Sequence, residues 1–179
     1  MKYIFVFLAV FLFNCNNDKK DVTSNKEDTV TERVDTIQQE TPLEIYDFAG
    51  VEKYLNYNDD KTYIVNFWAT WCAPCVKELP YFEKIGADYK SEDVEVILVS
   101  LDFPKHYESK LKPFIAEKKL QSKMIVLNDV DSNSWIPKVN ENWSGAIPAT
   151  LIYNNDKRHF YEQSFSYEEL ETELKQFLK

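Results

Sequence analysis

The chain carries the sequence Trp71-Cys72-Ala73-Pro74-Cys75 directly after the apolar run Tyr63-Ile64-Val65-Asn66-Phe67-Trp68. The run predicts a buried strand and the residues after it predict a helix, so the cysteines fall where a strand becomes a helix. A helix N-terminus stabilises a thiolate through its unpaired N–H groups and the positive end of its dipole, and Cys72 falls at that position. Pro74 suits the first turn because it has no N–H to leave unpaired. Cys75 lies one turn below, close enough for a disulfide, so the segment indicates a dithiol redox centre.

Two other uses of the cysteine pair stay open, a purely structural disulfide and half of a zinc site. Zinc takes four Cys or His ligands in structural sites, and beyond the pair the chain offers only Cys15, His106 and His159, none at the spacing of a zinc finger. A structural disulfide usually closes a longer loop and has no need of a helix N-terminus. The sequence therefore favours catalytic redox use, with no metal and no bound cofactor.

The N-terminus carries an uninterrupted apolar run over residues 3–13. The run is too short to span a bilayer and matches the core of a signal peptide, which we predict over residues 1–14. Residues 12–15 resemble the lipobox of bacterial lipoproteins, although Asn14 stands where that pattern prefers Gly or Ala. We expect Cys15 to carry a lipid that holds the protein on a bacterial membrane, facing the periplasm; an ordinary export signal and an uncut anchor are the alternatives. Each of them places the domain in the cell envelope, outside the cytoplasm.

Composition separates a tether from a globular domain. Residues 16–42 are rich in Asn, Asp, Lys, Thr and Glu and contain no aromatic residue, so with Cys15 they predict a disordered tether over residues 15–42. Residues 43–179 have the length of one domain, and 44% of the whole chain is apolar. The net charge of −9 argues against a nucleic-acid partner, because phosphates attract a basic surface.

Hydrophobic patterns along residues 43–179 predict alternating strands and helices. The predicted strands are residues 43–48, 62–68, 94–101, 124–127 and a hairpin of 149–153 with 158–161, and the predicted helices are residues 51–57, 73–89, 106–119 and a closing helix after the capping box that begins at Ser166. The stretch between residues 127 and 149 is rich in Trp and is predicted to be a connection. This order predicts an α/β protein with a mixed sheet.

Three groups of residues resemble the thioredoxin superfamily: Asn66-Phe67-Trp68-Ala69-Thr70-Trp71-Cys72-Ala73-Pro74-Cys75, then Glu78 and Pro80, then Gly145-Ala146-Ile147-Pro148-Ala149-Thr150. More narrowly, they resemble the membrane-anchored TlpA/ResA-like thiol-disulfide oxidoreductases, and the resemblance covers residues 43–179. It implies a thioredoxin fold, in which helices flank a central mixed sheet. It also implies an insert, near residues 106–143, before the strand that follows a cis-proline.

The resemblance also implies roles for residues around the dithiol. Cys72 would be the exposed nucleophile and Cys75 the resolving thiol, which exchange disulfides through a mixed disulfide on Cys72. Pro148 would be the cis-proline that faces the dithiol, and the Ile147 backbone would then pair with an extended client segment. The alternative for Pro148 is an ordinary turn proline at a strand end. We expect Trp71 to shield the dithiol and to contact the substrate, together with Pro74.

A buried acid of ordinary thioredoxins is replaced here by Asn66, and an amide cannot move a proton. Glu78 lies three residues after Cys75, on the same helix face, and matches a glutamate of ResA-like proteins. It could take the proton of Cys75 as a general base. The alternative is a solvated acid that stabilises a helix N-terminus.

These inferences predict an exported disulfide reductase that acts on cysteines or disulfides of client proteins and receives electrons from a membrane thiol reductant. Apocytochrome c, and so cytochrome c maturation, and misoxidised exported proteins are both compatible clients. A thiol peroxidase of the peroxiredoxin type is one rival, but it needs an arginine beside the thiolate, and the chain has only Arg33 and Arg158. A non-catalytic or copper-binding module on the same fold is another, although copper chaperones of this superfamily have a longer cysteine spacing.

Overall fold

The computed structural model describes residues 42–178. The predicted signal peptide, Cys15 and almost all of the predicted tether lie outside the described residues. Within the described range, none of the helices has the length and apolar character that a membrane crossing requires.

One sheet of six strands organises the described part of the chain, in the order β1-β4-β3-β2-β5-β6. The strands are β1 Glu44–Tyr46, β2 Thr62–Trp68, β3 Val94–Ser100, β4 Lys123–Leu127, β5 Ala149–Tyr153 and β6 Arg158–Tyr161. The first four are parallel to one another, and β5 runs antiparallel to β2 and β6. Every residue of β2 is buried, as expected of a central strand with both faces covered.

Helices cover both faces of this sheet. They are α1 Phe48–Glu52, α2 Ala73–Asp88, α3 Lys112–Lys118, α4 Ser132–Val139 and α5 Tyr167–Lys175. One apolar core contains Leu79 and Phe82 of α2 and Leu170 of α5. A second core, on the other face, contains Phe48 of α1 and Trp135 of α4. The capping box of α5 is present: the Ser166 side chain accepts from Glu169 N–H and the Glu169 side chain accepts from Ser166 N–H.

The predicted α/β class, thioredoxin-like sheet and insert are confirmed. The insert contributes a strand to the sheet, because β4 lies between β1 and β3. The single helix predicted over residues 106–119 is instead a 3₁₀ turn at Pro104–His106, a π-helical turn at Tyr107–Leu111 and then α3. Pro113, in the first turn of α3, cannot donate a helical hydrogen bond, which explains why regular α-helix begins only there.

The prediction of a mere connection between β4 and β5 was wrong, because α4 occupies residues 132–139. Pro137 inside this short helix hid it from the sequence pattern. The signal available in the sequence was the pair of apolar residues Trp135 and Val139, which are four residues apart and so share one helix face. The structure buries both of them.

Candidate functional site

The two cysteines lie at the junction that the sequence predicts. Cys72 is the N-cap residue of α2, with extended backbone, and forms a disulfide with Cys75 across a Cα separation of 5.3 Å. The N–H of Cys75 donates to Cys72 Sγ at 3.3 Å, so a helix N–H group is directed at this sulfur. Cys72, which was expected to be exposed, is buried in the disulfide form and retains 6% of its surface exposed, whereas Cys75 retains none. An attacking group can therefore reach only the Cys72 side of the pair. Pro74 is exposed in the first turn of α2.

The peptide bond between Ile147 and Pro148 is cis, as the resemblance implied. The carbonyl oxygen of Ile147 lies 3.7 Å from Cys72 Sγ. Pro148 is buried directly before β5, so the strand fixes this turn against the dithiol. The backbone of Ile147 is thus brought together with the more exposed sulfur.

Residues 144–146, just before the cis peptide, are held by side chains that the sequence analysis did not single out. The exposed Glu162 accepts from the N–H groups of Ser144 at 3.1 Å and Ala146 at 3.2 Å. The indole N–H of Trp143 donates to the carbonyl oxygen of Ala146 at 2.8 Å. Gly145 adopts a φ of 90°, a left-handed conformation that disfavours any side chain. These contacts orient the turn that presents Ile147 to Cys72.

Asp102, also missed from sequence, anchors the segment that leads to the dithiol. Its buried carboxylate accepts from Thr70 N–H at 3.0 Å and from Thr70 Oγ1 at 2.5 Å. It also accepts from Ser100 Oγ at 2.9 Å, so one carboxylate ties the end of β3 to the residues that precede Cys72. The only sequence signal was an acid two residues beyond a buried strand.

Glu78 is buried beneath the dithiol rather than solvated. Its Oε1 accepts from Asn66 Nδ2 at 3.1 Å and its Oε2 accepts from the N–H of Phe165 at 2.8 Å. Asn66 Nδ2 also donates to Thr150 Oγ1 at 3.1 Å. Burial raises the pKa of the Glu78 carboxyl from 4.5 to about 7, although the two hydrogen bonds favour the charged form. A carboxyl with this pKa exchanges a proton readily at neutral pH.

The described residues give no support to the rival peroxidase geometry. Arg158 is the one arginine among residues 42–178, and its guanidinium donates to the carbonyl oxygen of Leu55 at 2.7 Å. It pairs with Tyr153, which pairs with Tyr63 at the start of β2, whereas Cys72 follows the end of that strand. Five residue steps along β2, about 17 Å, separate Tyr63 from the last residue of the strand. Arg158 and Cys72 therefore lie near opposite ends of β2.

In the described part of the chain, no group of three or more His, Cys, Asp or Glu side chains is arranged to hold a metal ion. His159 packs at 5.1 Å against the ring of Phe177, and His106 ends the 3₁₀ turn after β3.

A parallel sheet extended by an antiparallel hairpin, with a dithiol at a helix N-terminus facing a cis-proline, defines a thioredoxin-fold protein. Sequence comparison adds the family: the chain belongs to the AhpC/TSA family, which matches residues 43–158.

Two relatives similar in sequence are thiol-disulfide oxidoreductases. The chain is 34% identical over 99 residues to thiol-disulfide oxidoreductase ResA of Oceanobacillus iheyensis, which covers 55% of this chain and 50% of that protein. It is 28% identical over 137 residues to the ResA of Bacillus thuringiensis subsp. konkukian, which covers 76% of this chain and 67% of that protein. The chain thus spans half to two thirds of the length of these relatives. A thioredoxin family thiol:disulfide interchange protein from Chlorobium tepidum superposes with a TM-score of 0.54 at 19% identity, over 65% of this chain and 79% of that one, and supports the fold.

The raised pKa of Glu78 predicts a pH-dependent stability. The folded protein keeps the Glu78 proton to higher pH than the unfolded chain does, so its stability falls as pH rises from about 4.5 and levels off above about 7. The full loss is about 3 kcal/mol in the free energy of unfolding. The other carboxyl groups of the described residues with a shifted pKa all have a lowered pKa, so they change the stability only at lower pH. They are Glu44, Asp88, Glu162, Glu169 and Glu171.

Urea unfolding of the oxidised protein at pH 5 and pH 8 measures this effect. We expect Glu78→Gln to remove most of the difference between the two pH values, because glutamine does not titrate. An equal loss in wild type and Glu78→Gln would show that Glu78 is not the group responsible.

Proposed function

We propose that this protein is an exported thiol-disulfide oxidoreductase that reduces disulfides of client proteins. The observation that carries the proposal is the placement of Cys72: it caps α2, accepts a helix N–H, keeps the only exposed surface of the pair and lies beside the Ile147 carbonyl oxygen. The names of the ResA relatives support the same chemistry.

In the reductive direction, the Cys72 thiolate attacks one sulfur of a client disulfide. A mixed disulfide forms between Cys72 and the client, and the other client sulfur leaves as a thiolate. The Cys75 thiolate then attacks Cys72 Sγ, closes the Cys72–Cys75 disulfide and releases the second client thiolate. Two electrons pass from the protein dithiol to the client, and a membrane thiol reductant would restore the dithiol.

Glu78 would serve the second attack. Cys75 is wholly buried and must lose its proton to react, but burial disfavours a free thiolate. The Glu78 carboxylate lies one helical turn away and can receive that proton at neutral pH. The Asn66 side chain can hydrogen-bond Glu78 in both of its protonation states. Asn66 Nδ2 donates to the Glu78 carboxylate. Asn66 Oδ1 has no partner among the described residues and, after a flip of the amide, can accept from the protonated Glu78 carboxyl.

The cis-proline turn would bind the client. The Ile147 backbone faces Cys72 and can pair with an extended segment that carries the client cysteine, as in strand addition to a sheet edge. Pro148 holds this backbone in place, while Trp71 and Pro74, both exposed, line the approach to Cys72. The clients would be exported proteins with cysteines, with apocytochrome c as one candidate.

Location would follow from the N-terminus. A signal peptide over residues 1–14, a lipid on Cys15 and a tether to residue 42 would hold residues 43–179 on a membrane, outside the cytoplasm. Several acyl chains on one cysteine suffice for stable anchoring. Labelling with a radioactive fatty acid tests the anchor, because the label should be absent from Cys15→Ala.

The function is tested by offering the reduced protein two substrates, insulin and hydrogen peroxide. We expect rapid reduction of the insulin disulfides, with one Cys72–Cys75 disulfide formed for each client disulfide reduced. Peroxide should be consumed no faster than by an ordinary free thiolate, because no arginine lies beside the Cys72 thiolate in the described residues to accelerate that reaction. Rapid peroxide consumption with inert insulin would favour the peroxidase, and tight copper binding without any exchange would favour the metal-binding module.

A further inference from the structure

Two large aromatic side chains next to the dithiol are exposed although their backbones are fixed. Trp71 and Phe103 are each 55% exposed, and their rings stack with centroids 6.1 Å apart and planes 19° from parallel. Trp71 precedes Cys72, and Phe103 follows β3 at the neighbouring strand end. The rings therefore form one aromatic surface, which we call the aromatic platform, beside the more exposed sulfur. Lys105 Nζ lies 6.0 Å from the centroid of the Phe103 ring, at the border of this surface.

Hydrogen bonds to the buried carboxylate of Asp102 fix the backbone next to both residues. Thr70, just before Trp71, donates its N–H and hydroxyl to the carboxylate of Asp102, which just precedes Phe103. The strand ends are also joined where Leu101 N–H donates to the carbonyl oxygen of Trp68 at 2.8 Å. A binding surface fixed in advance loses little conformational entropy when a ligand covers it.

The platform is continuous with the site of exchange, and this identifies its occupant. A client cysteine must approach Cys72 Sγ, so the residues beside it in an extended client pass over the neighbouring rings. Side chains two residues apart in an extended chain point to the same side about 6.6 Å apart. A client side chain at that distance from the client cysteine comes within reach of Trp71, which directly precedes Cys72, and of Phe103, which stacks on Trp71. An aromatic or large apolar side chain two residues from the client cysteine can thus lie on the platform.

We propose that Phe103, together with Trp71, selects client segments that carry an aromatic or large apolar side chain two residues from the reacting cysteine. The inference rests on the proposed function and adds a specificity-determining residue to it. Stacking and apolar contact of one such side chain correspond to about a threefold to tenfold preference. Phe103 follows Asp102 and lies outside the Trp-Cys-x-x-Cys segment, so part of this preference comes from a residue beyond that segment.

Two peptides of sequence Trp-Gly-Cys-Gly-Trp and Ser-Gly-Cys-Gly-Ser, each joined to glutathione through its cysteine, test the proposal. Their symmetry makes the result independent of chain direction. The second-order rate constant for oxidation of the reduced protein is measured with each peptide and with oxidised glutathione. We expect wild type to favour the Trp peptide by about threefold to tenfold, and Phe103→Ser to reduce that ratio to within twofold.

Two variants serve as controls. Phe103→Tyr keeps an aromatic ring and should keep the preference, and Ile45→Thr removes exposed apolar surface on the edge strand β1, three strands from β2, and should also keep it. An unchanged ratio in Phe103→Ser, or no preference in wild type that still reacts with oxidised glutathione, would overturn the inference alone. No reaction with any of the three disulfides would overturn the proposed function itself. Dimerisation of wild type that Phe103→Ser abolishes would assign the platform to a second copy of the chain.

Discussion

Cys75→Ser is expected to accumulate covalent complexes with client proteins, while Cys72→Ser forms none and loses exchange to the uncatalysed rate. The reason is the asymmetry of the pair. Cys72 Sγ accepts a helix N–H and is the only sulfur of the pair with exposed surface, so Cys72 can attack a client without Cys75. Release of the mixed disulfide requires the thiol of Cys75. Non-reducing gels of protein mixed with a disulfide-containing client show the complexes directly.

The matched control is Cys15→Ser in the same full chain, because it removes a cysteine outside the dithiol. It should exchange disulfides as wild type does. Complexes recovered from Cys72→Ser but not from Cys75→Ser would reverse the two roles.

Glu78→Gln is expected to slow release of the mixed disulfide on the order of a hundredfold, with little change in the first attack by Cys72. Loss of a general base has this magnitude, and glutamine cannot take the proton of Cys75. The helix should persist, since Gln and Glu have similar helix propensities. Stopped-flow measurement of attack and release between pH 6 and 9 separates the two steps.

Glu83→Gln is the matched control for this prediction. Glu83 lies on the same helix and, like Glu78, accepts backbone N–H groups, in its case from Gln121 at 2.7 Å and Ser122 at 3.1 Å. It should leave the release rate unchanged. If Glu78→Gln also releases clients at the wild-type rate, Glu78 is a structural acid that fastens α2 to Phe165 and Asn66.

The fold was predictable from sequence where local pattern and the resemblance agree. The buried run of β2 followed by Cys72 located the site, and the motif around Pro148 implied the cis peptide that the structure contains. Local pattern failed where proline interrupts a helix, as at Pro113 and Pro137, because the tertiary contacts that preserve these helices leave no periodic signal.

Parts of the candidate site were not predictable because they depend on which strands become neighbours. Asp102 bonds to Thr70 across 32 positions of sequence, and Glu78 bonds to Phe165 across 87. Neither pair has a local spacing that would identify it. Phe103 joins Trp71 for the same reason, since β2 and β3 end side by side.

The most direct test of the central claim is rapid-quench mass spectrometry of the reduced protein mixed with oxidised glutathione. The account predicts that a glutathione adduct appears first on Cys72. The adduct then decays into the Cys72–Cys75 disulfide, with two glutathione thiols released in total. A first adduct on Cys75, or a dithiol that stays reduced in the presence of excess oxidised glutathione, would contradict it.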